Sequence, residues 1–166
     1  MPFEEDLLAF LGGRKMLLLV GVGSTVRKDD AAGIKVVSLL RGRVPKGVQL
    51  MDTGTTPENY CSPIKRLDPS HIIFFDAVEM GEQPGVFAFL DEGDLAIQSV
   101  STHKQSIKIL FSVLRDGLPG ARIRLVGIQP KNIDFGASLS SPVKRGVDSL
   151  VKILINALGE KCDENH

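Results

Sequence analysis

Residues 16–33 read MLLLVGVGSTVRKDDAAG, and this stretch decides the fold. The apolar run Met16–Val20, followed by glycines, is typical of a strand covered on both faces, as in parallel sheets flanked by helices. Such sheets bind their ligands beyond the carboxyl ends of the strands. We therefore expect the chemistry of this protein near the residues that leave this strand: Gly21, Gly23, Asp29 and Asp30.

The glycine pattern at this junction departs from a dinucleotide-binding fingerprint. Val26 stands where the third glycine of Gly-x-Gly-x-x-Gly would be, and the carboxylates of Asp29 and Asp30 would repel a pyrophosphate. The chain also has no Gly-x-x-x-x-Gly-Lys-Ser/Thr loop. A nucleotide-binding Rossmann protein would rest on Gly21 and Gly23 alone, and we rank it last among the functions considered.

The composition indicates an ordinary globular protein. The chain has 166 residues, of which 43% are hydrophobic, and its 20 basic residues balance its 20 acidic ones. With no net charge and no basic face, nucleic-acid binding is not expected. The N-terminus lacks the pattern of a signal peptide and no apolar run approaches membrane-spanning length, so we expect a cytoplasmic protein without membrane insertion. Cys61 and Cys162 form no Cys-x-x-Cys pair, and we expect neither a thiolate metal site nor a redox motif.

Alternating strand and helix patterns continue along the chain. Four further apolar runs predict strands at Val48–Met51, His71–Phe75, Val86–Leu90 and Ile123–Ile128. The turn at residues 83–85 is so short that the strand after it is expected to be an antiparallel edge strand. The pattern therefore predicts an α/β fold in three layers, with a mostly parallel five-stranded sheet, one antiparallel strand and helices on both faces.

We expect a single α/β domain over residues 16–158. Before it, residues 1–15 carry an amphipathic accessory helix, predicted over Pro2–Leu11 and ended by Gly12 and Gly13. After it, residues 159–166 form a polar tail that is expected to fray. No repeat or linker divides the chain.

Acids follow three of the predicted strands. Asp30, Asp52 and Asp76 fall at strand exits, and His103 begins a helix predicted to border the same edge of the sheet. Two or three carboxylates with one imidazole suit a divalent cation such as nickel or zinc, and three protein ligands would leave coordination positions open for a substrate. These residues are far apart in sequence, so only the fold could bring them together.

Each of these residues also has a simpler structural explanation. Asp29 is better placed as a helix N-cap than as a ligand, and Asp30 could be a first-turn acid that complements the helix dipole. Asp52 and Asp76 could be turn residues that close strands, and His103 could be an exposed residue at a helix start. The repetition of acids at three successive strand exits favours a functional site over these separate structural roles.

These motifs resemble the endopeptidases that mature the large subunit of nickel-iron hydrogenases. Gly21-Val22-Gly23 followed by Asp29-Asp30 and Gly33 matches the first motif of that family, Asp76-Ala77 the second and His103 the third. The resemblance covers nearly the whole chain after about Met16.

Two other segments, Asp52-Thr53-Gly54-Thr55 with Pro57-Glu58-Asn59 and Gly127-Ile128-Gln129-Pro130, are most similar to the branch that serves membrane-bound, hydrogen-evolving hydrogenases. The chain departs from the family pattern at Ser24, where Asn is usual, and at Ala31, where Gly is common.

The resemblance implies a twisted five-stranded sheet between helices and cleavage of a short C-terminal extension from a precursor that already holds nickel. It implies that Asp30, Asp76 and His103 contact the metal, and these three are the predicted metal-binding and catalytic residues. The nickel would belong to the precursor rather than be held tightly by the enzyme. The resemblance also makes Asp29 a cap and Asp52 a supporting acid near the crevice, and the predicted supporting residues are Gly21, Gly23, Asp29, Asp52 and Gly54.

Two functions follow from this set of side chains. The first is an endopeptidase that acts on a hydrogenase large-subunit precursor and uses the nickel of that precursor as a recognition element. The alternative is a non-enzymatic nickel-binding metallochaperone or sensor, which would bind the metal tightly by itself. The sequence leaves open whether the metal polarises the scissile carbonyl or Asp30 activates water. The oligomeric state is not readable from the sequence.

Overall fold

The computed structural model describes residues 2–91 and 104–159. Within them the helices are α1 (Pro2–Leu11), α2 (Ala32–Leu40), α3 (Cys61–Leu67), α4 (Lys104–Gly117) and α5 (Ser141–Leu158). The strands are β1 (Leu17–Gly21), β2 (Val48–Asp52), β3 (His71–Ala77), β4 (Phe87–Leu90) and β5 (Arg122–Ile128). Two short 3₁₀ helices, Lys28–Ala31 and Pro57–Tyr60, lead into α2 and α3.

The strands form one sheet in the order β2-β1-β3-β5-β4. Four strands are parallel, and β4 is antiparallel to β5 at the edge of the sheet. This architecture confirms the predicted fold class. Strand β4 pairs with β5 and not with β3, the strand before it in sequence. In the sheet, β5 lies between β3 and β4.

Both faces of the sheet are covered, as the apolar run of β1 predicts. Leu17 and Leu19 pack into a core shared with α1, α2 and α5, whereas Leu18 and Val20 pack into a second core shared with α3 and α4. All five residues of β1 are buried. Because successive side chains of a strand point to opposite faces, a strand between two cores must be apolar throughout.

Helix α2 packs close to the sheet at the carboxyl end of β1. The Cα of Gly33 lies where a Cβ would collide with the carbonyl oxygens of Phe75 and Val22, and a Cβ on Gly21 would lie 2.7 Å from the Gly33 carbonyl. Glycine at these positions lets the helix backbone approach the strand ends. The start of α2 is thereby held directly against the exits of β1 and β3.

Several predicted boundaries shift by a few residues. Asp76 and Ala77 belong to β3 rather than to the turn after it, and β1 extends to Gly21. His103, predicted to begin the helix that is α4, lies outside the described residues, as does the chain after Gly159. None of the helices in the described ranges is both long and apolar enough to span a membrane.

Candidate active site

The carboxyl ends of β1, β2 and β3 are joined by backbone hydrogen bonds that continue past the strands. The Val22 N–H donates to the Phe75 carbonyl (2.9 Å), the Thr53 N–H to the Gly21 carbonyl (3.0 Å) and the Gly23 N–H to the Gly54 carbonyl (2.9 Å). The Thr53 hydroxyl also donates to the Gly21 carbonyl, at 3.1 Å. Gly21, Gly23 and Gly54 thus help to build the rigid edge from which the candidate site residues project.

Asp30 lies in the 3₁₀ helix before α2 and is only 3% exposed. Its carboxylate accepts a hydrogen bond from the Ser24 N–H at 3.0 Å. Gly23 has φ +149°, and a Cβ there would collide with the Asp30 carbonyl oxygen. The chain therefore folds back on itself between Gly23 and Asp30. The contact is made by the backbone N–H of residue 24 and not by its side chain.

Asp76 is fully buried near the end of β3, where it pairs in register with Gly127 of β5. Strand β3 is the direct neighbour of β1. Asp76 at the end of β3 and Asp30 in the 3₁₀ helix that follows β1 therefore lie at the same edge of the sheet, as their predicted positions after two strands indicate. Buried carboxylates are rare in proteins unless something compensates their charge.

The third predicted ligand, His103, lies outside the described residues. Among the residues described, no group of three His, Cys, Asp or Glu side chains is arranged to hold a metal ion. The structure thus brings two of the three predicted ligands to one edge of the sheet. The assignment of all three remains a prediction.

The prediction that Asp29 is an N-cap is wrong. Neither the 3₁₀ helix nor α2 has a side-chain cap, and the Asp29 side chain is fully buried. One carboxylate oxygen accepts hydrogen bonds from the Lys131 and Asn132 N–H groups (both 2.9 Å) and from the Ser140 hydroxyl (2.8 Å). The other accepts from the Ser140 N–H at 2.7 Å. Asp29 anchors the loop between β5 and α5.

Asp52 is the last residue of β2, and Gly54 lies in the turn that follows. The Asp52 side chain is exposed, and its carboxylate accepts the Gly54 N–H at 2.9 Å. Gly54 has φ +57°, a backbone conformation that glycine adopts more readily than residues with a side chain. Asp52 thus has the structural role of a turn residue, one of the two explanations that the sequence left open.

Gln129 is a structural organiser of the site that the sequence pattern did not single out. It is almost fully buried just beyond β5. Its side-chain oxygen accepts the N–H groups of Met80 (2.7 Å) and Glu82 (3.3 Å), and its amide nitrogen donates to the Glu79 carboxylate at 2.9 Å. It therefore shapes the loop that follows Asp76. The one signal for Gln129 in the sequence is its place in the segment Gly127–Pro130, which resembles a branch of the family.

His71 and Cys61 have structural environments. His71 is buried at the start of β3, where it packs edge-on against Phe10 and contacts the Ser70 hydroxyl at 2.8 Å. Burial, and next the charge of Arg122, lower the pKa of His71. Burial raises the pKa of the Cys61 thiol, which donates to the Glu58 carbonyl at 3.2 Å. The thiol therefore favours its protonated form, consistent with an incidental cysteine.

Known proteins share both the sequence and the fold. A family profile described as hydrogenase maturation protease, HycI, matches residues 34–157. A Methanocaldococcus jannaschii protein named as a putative hydrogenase maturation protease is 33% identical over 165 residues, which cover 95% of this chain and 96% of that protein. The hydrogenase 3 maturation protease of Escherichia coli K12 is 29% identical over 139 residues, covering 82% and 87%. The crystal structure of a [NiFe] hydrogenase maturation protease, HycI, from Thermococcus kodakarensis superposes with a TM-score of 0.82 at 28% identity and covers 92% of this chain and 98% of that one.

Proposed function

The chain belongs to the hydrogenase maturation protease family, and we propose that it removes the C-terminal extension of a nickel-loaded hydrogenase large-subunit precursor. Family membership makes it an endopeptidase. The nickel requirement, the roles of individual residues and the branch of hydrogenase are our proposals.

The placement of Asp30 and Asp76 carries the proposal. One buried carboxylate, Asp30, lies in the 3₁₀ helix that follows β1, and the other, Asp76, lies near the end of the adjacent parallel strand β3, at the edge where α/β sheets bind their ligands. Two carboxylates at one edge of the sheet offer oxygen ligands to a divalent cation that arrives there. Carboxylate oxygens and an imidazole nitrogen, the latter proposed from His103, are donors that nickel accepts.

We propose that the nickel arrives already bound to the precursor, whose own cysteines hold it. Three ligands from the enzyme would then complete the coordination without displacing the ion. Docking of the ion onto Asp30, Asp76 and His103 would place one peptide bond of the precursor against the site. In this arrangement the metal acts as part of the substrate, and a precursor without nickel is not recognised.

The chemical step is hydrolysis of that peptide bond. Water adds to the scissile carbonyl carbon, the C–N bond breaks, and the departing amine takes up a proton. The docked ion would lower the barrier by polarising the carbonyl, or the carboxylate of Asp30 would accept the proton of the attacking water. Both routes need the carboxylate of Asp30 to be held in place, which the hydrogen bond from the Ser24 N–H provides.

Similarity to the hydrogenase 3 maturation protease of Escherichia coli supports a partner of the same branch. We propose that the precursor is the large subunit of a membrane-bound, hydrogen-evolving hydrogenase, processed in the cytoplasm. A precursor of this class is therefore the first substrate to test.

Intact-mass spectrometry of that precursor tests the proposal. Purified precursor, with and without nickel, is incubated with this protein, and the expected result is the loss of one C-terminal peptide from the nickel-loaded form alone. Precursor that stays intact when correctly loaded would contradict the assigned substrate. Cleavage of the precursor without nickel would support the peptidase activity but overturn the role of the metal in substrate recognition.

A nickel titration of the isolated protein addresses the metallochaperone or sensor alternative. The endopeptidase hypothesis expects weak binding in the absence of precursor, because the remaining ligands come from the substrate. Tight binding of one ion per chain, together with uncleaved precursor, would favour the alternative.

A further inference from the structure

Val26 and Phe135 form an exposed apolar pair beside the candidate site. Their side chains are 60% and 83% exposed. The loops that carry them are joined, because the Gly136 N–H donates to the Val26 carbonyl and the Lys28 N–H donates to the Gly136 carbonyl, both at 3.0 Å. We call this pair the Val26–Phe135 patch. Neighbouring exposed apolar side chains indicate a binding surface, whereas a single one is common on any protein surface.

The loops under the patch are firmly anchored. Asp29 accepts its hydrogen bonds from the loop between β5 and α5, and Arg27 Nε donates to the Ile133 carbonyl at 3.2 Å. Phe135 itself contributes little to folding, because most of its surface remains in water. An aromatic side chain presented on a well-ordered loop gives binding area at a low entropic penalty.

A cleft of about 450 Å³ adjoins the patch between α2 and the loop that precedes α5. Thr25, next to Val26, and Ala137, next to Gly136, both line it. The remaining wall combines apolar, hydroxyl and cationic side chains, including Ile34, Leu139, Ser38, Ser138, Lys35 and Lys144. Such a mixture suits a peptide, whose side chains are apolar or charged and whose backbone seeks hydrogen bonds.

The charge of the cleft is positive. Among the described residues that line it there are two lysines and no carboxylate. Lys144 lies 3.4 Å from the Asp148 carboxylate, so Lys35 carries most of the unbalanced charge. An acidic side chain of a bound peptide would complement Lys35.

The lining of the cleft also includes residues that are next in sequence to those of the candidate site. Ala31, which lines it, directly follows Asp30, and Thr25 directly follows the residue whose N–H holds the Asp30 carboxylate. An extended peptide advances about 3.3–3.6 Å per residue, so a few residues span the distance between neighbouring binding positions. A chain with its scissile bond near Asp30 can therefore enter this cleft.

We propose that the cleft and the Val26–Phe135 patch bind the precursor polypeptide beside its scissile bond, with an apolar side chain on the patch and an acidic one facing Lys35. This inference rests on the proposed function. It adds a recognition element made by the enzyme surface to the one made by the metal. The surface would select among precursors that all carry nickel.

Kinetics of precursor cleavage test the inference with two variants. The double change Val26→Ser and Phe135→Ser is expected to raise KM about tenfold, as for loss of an aromatic contact at an interface. Lys35→Glu is expected to raise KM about threefold and to reverse its salt dependence, because salt then screens a repulsion instead of an attraction. Both should leave kcat within about twofold of wild type, because neither change touches the reacting atoms.

Two matched variants serve as controls. Leu8→Ser alters a side chain that is 58% exposed on α1, and Lys152→Glu reverses an exposed charge on α5 outside the cleft. Both should retain wild-type kinetics. Circular dichroism of all variants should match that of wild type.

The outcomes separate the inference from the proposed function. If wild type cleaves the precursor and neither the double variant nor Lys35→Glu changes KM, the inference is overturned and the proposed function stands. If wild type binds the loaded precursor without cutting it, the proposed function is overturned. Loss of that binding in the double variant would still support the patch as a binding surface for the precursor. Wild type that neither binds nor cuts overturns both. Concentration-dependent dimers that the double variant abolishes would assign the patch to a second copy of the chain and overturn the inference.

Discussion

The carboxylate of Asp29 accepts hydrogen bonds from both the backbone N–H and the hydroxyl of Ser140, at 2.7 and 2.8 Å, across 111 positions of sequence. Asp29 thus joins the exit of β1 to the start of α5. Its neighbour Asp30 sits in the same 3₁₀ helix and is a candidate metal ligand. The two adjacent acids therefore differ in role. Asp29 anchors the loop between β5 and α5, whereas Asp30 is proposed to bind the nickel of the substrate.

Replacing Asp29 with alanine should destabilise the fold. Four donors would lose their acceptor at a buried position, and the free energy of unfolding should fall by about 3 kcal/mol. Urea denaturation followed by circular dichroism measures the change. Asp134→Ala, an exposed carboxylate in the same loop, is the control and should stay within about 0.5 kcal/mol of wild type. Equal stabilities for the two variants would contradict the anchoring role.

Asp30→Asn and Asp76→Asn should abolish processing while the fold persists. Each amide keeps the size of the carboxylate and removes its charge, so ion docking is lost, and cleavage should slow by at least about a hundredfold. Mass spectrometry of the nickel-loaded precursor measures the rate, with circular dichroism as the check on folding. Asp68→Asn makes the same exchange on the exposed residue that ends α3 and should cleave normally. An active Asp30→Asn enzyme would refute the ligand assignment.

His71 should make stability depend on pH near neutrality. Burial lowers the pKa of His71 in the folded state. The unfolded chain, with a pKa of about 6.5, therefore takes up the proton first as pH falls, and the free energy of unfolding decreases below about pH 6.5. Urea denaturation at pH 7.5 and 5.5 should show this loss. His71→Phe keeps the aromatic packing on Phe10 and should reduce the loss, and an unchanged pH dependence would exclude His71 as its source.

Gly33→Ala should be destabilising although alanine favours helices. The new methyl group would meet the backbone carbonyls of Phe75 and Val22, so α2 would have to move away from the sheet, and we expect a loss of about 2–3 kcal/mol. Thermal unfolding provides the measurement. Gly120→Ala is matched, because no atom lies within 4 Å of the added Cβ. If both variants melt alike, the close approach of α2 is not limiting. Movement of α2 would also displace Asp30, so Gly33→Ala should cleave precursor more slowly.

The sequence by itself determined the alternation of strands and helices. Strand β1 is apolar throughout because both of its faces are covered, so its pattern was visible without knowledge of its partners. The antiparallel direction of β4 followed from the short turn before it. Asp30 and Asp76 could be placed at the carboxyl edge for the same local reason, since each follows or closes an apolar run.

Only the tertiary structure decided what the neighbouring residues do. Asp29 stands before a helix and has the local pattern of a cap, yet its four donors come from residues more than 100 positions away. The same holds for Gln129, which shapes the loop after Asp76, and for Phe135, whose position beside Val26 depends on a bond between two loops. Strand and helix propensities act within a few residues, whereas these contacts form only after the sheet has brought distant segments together.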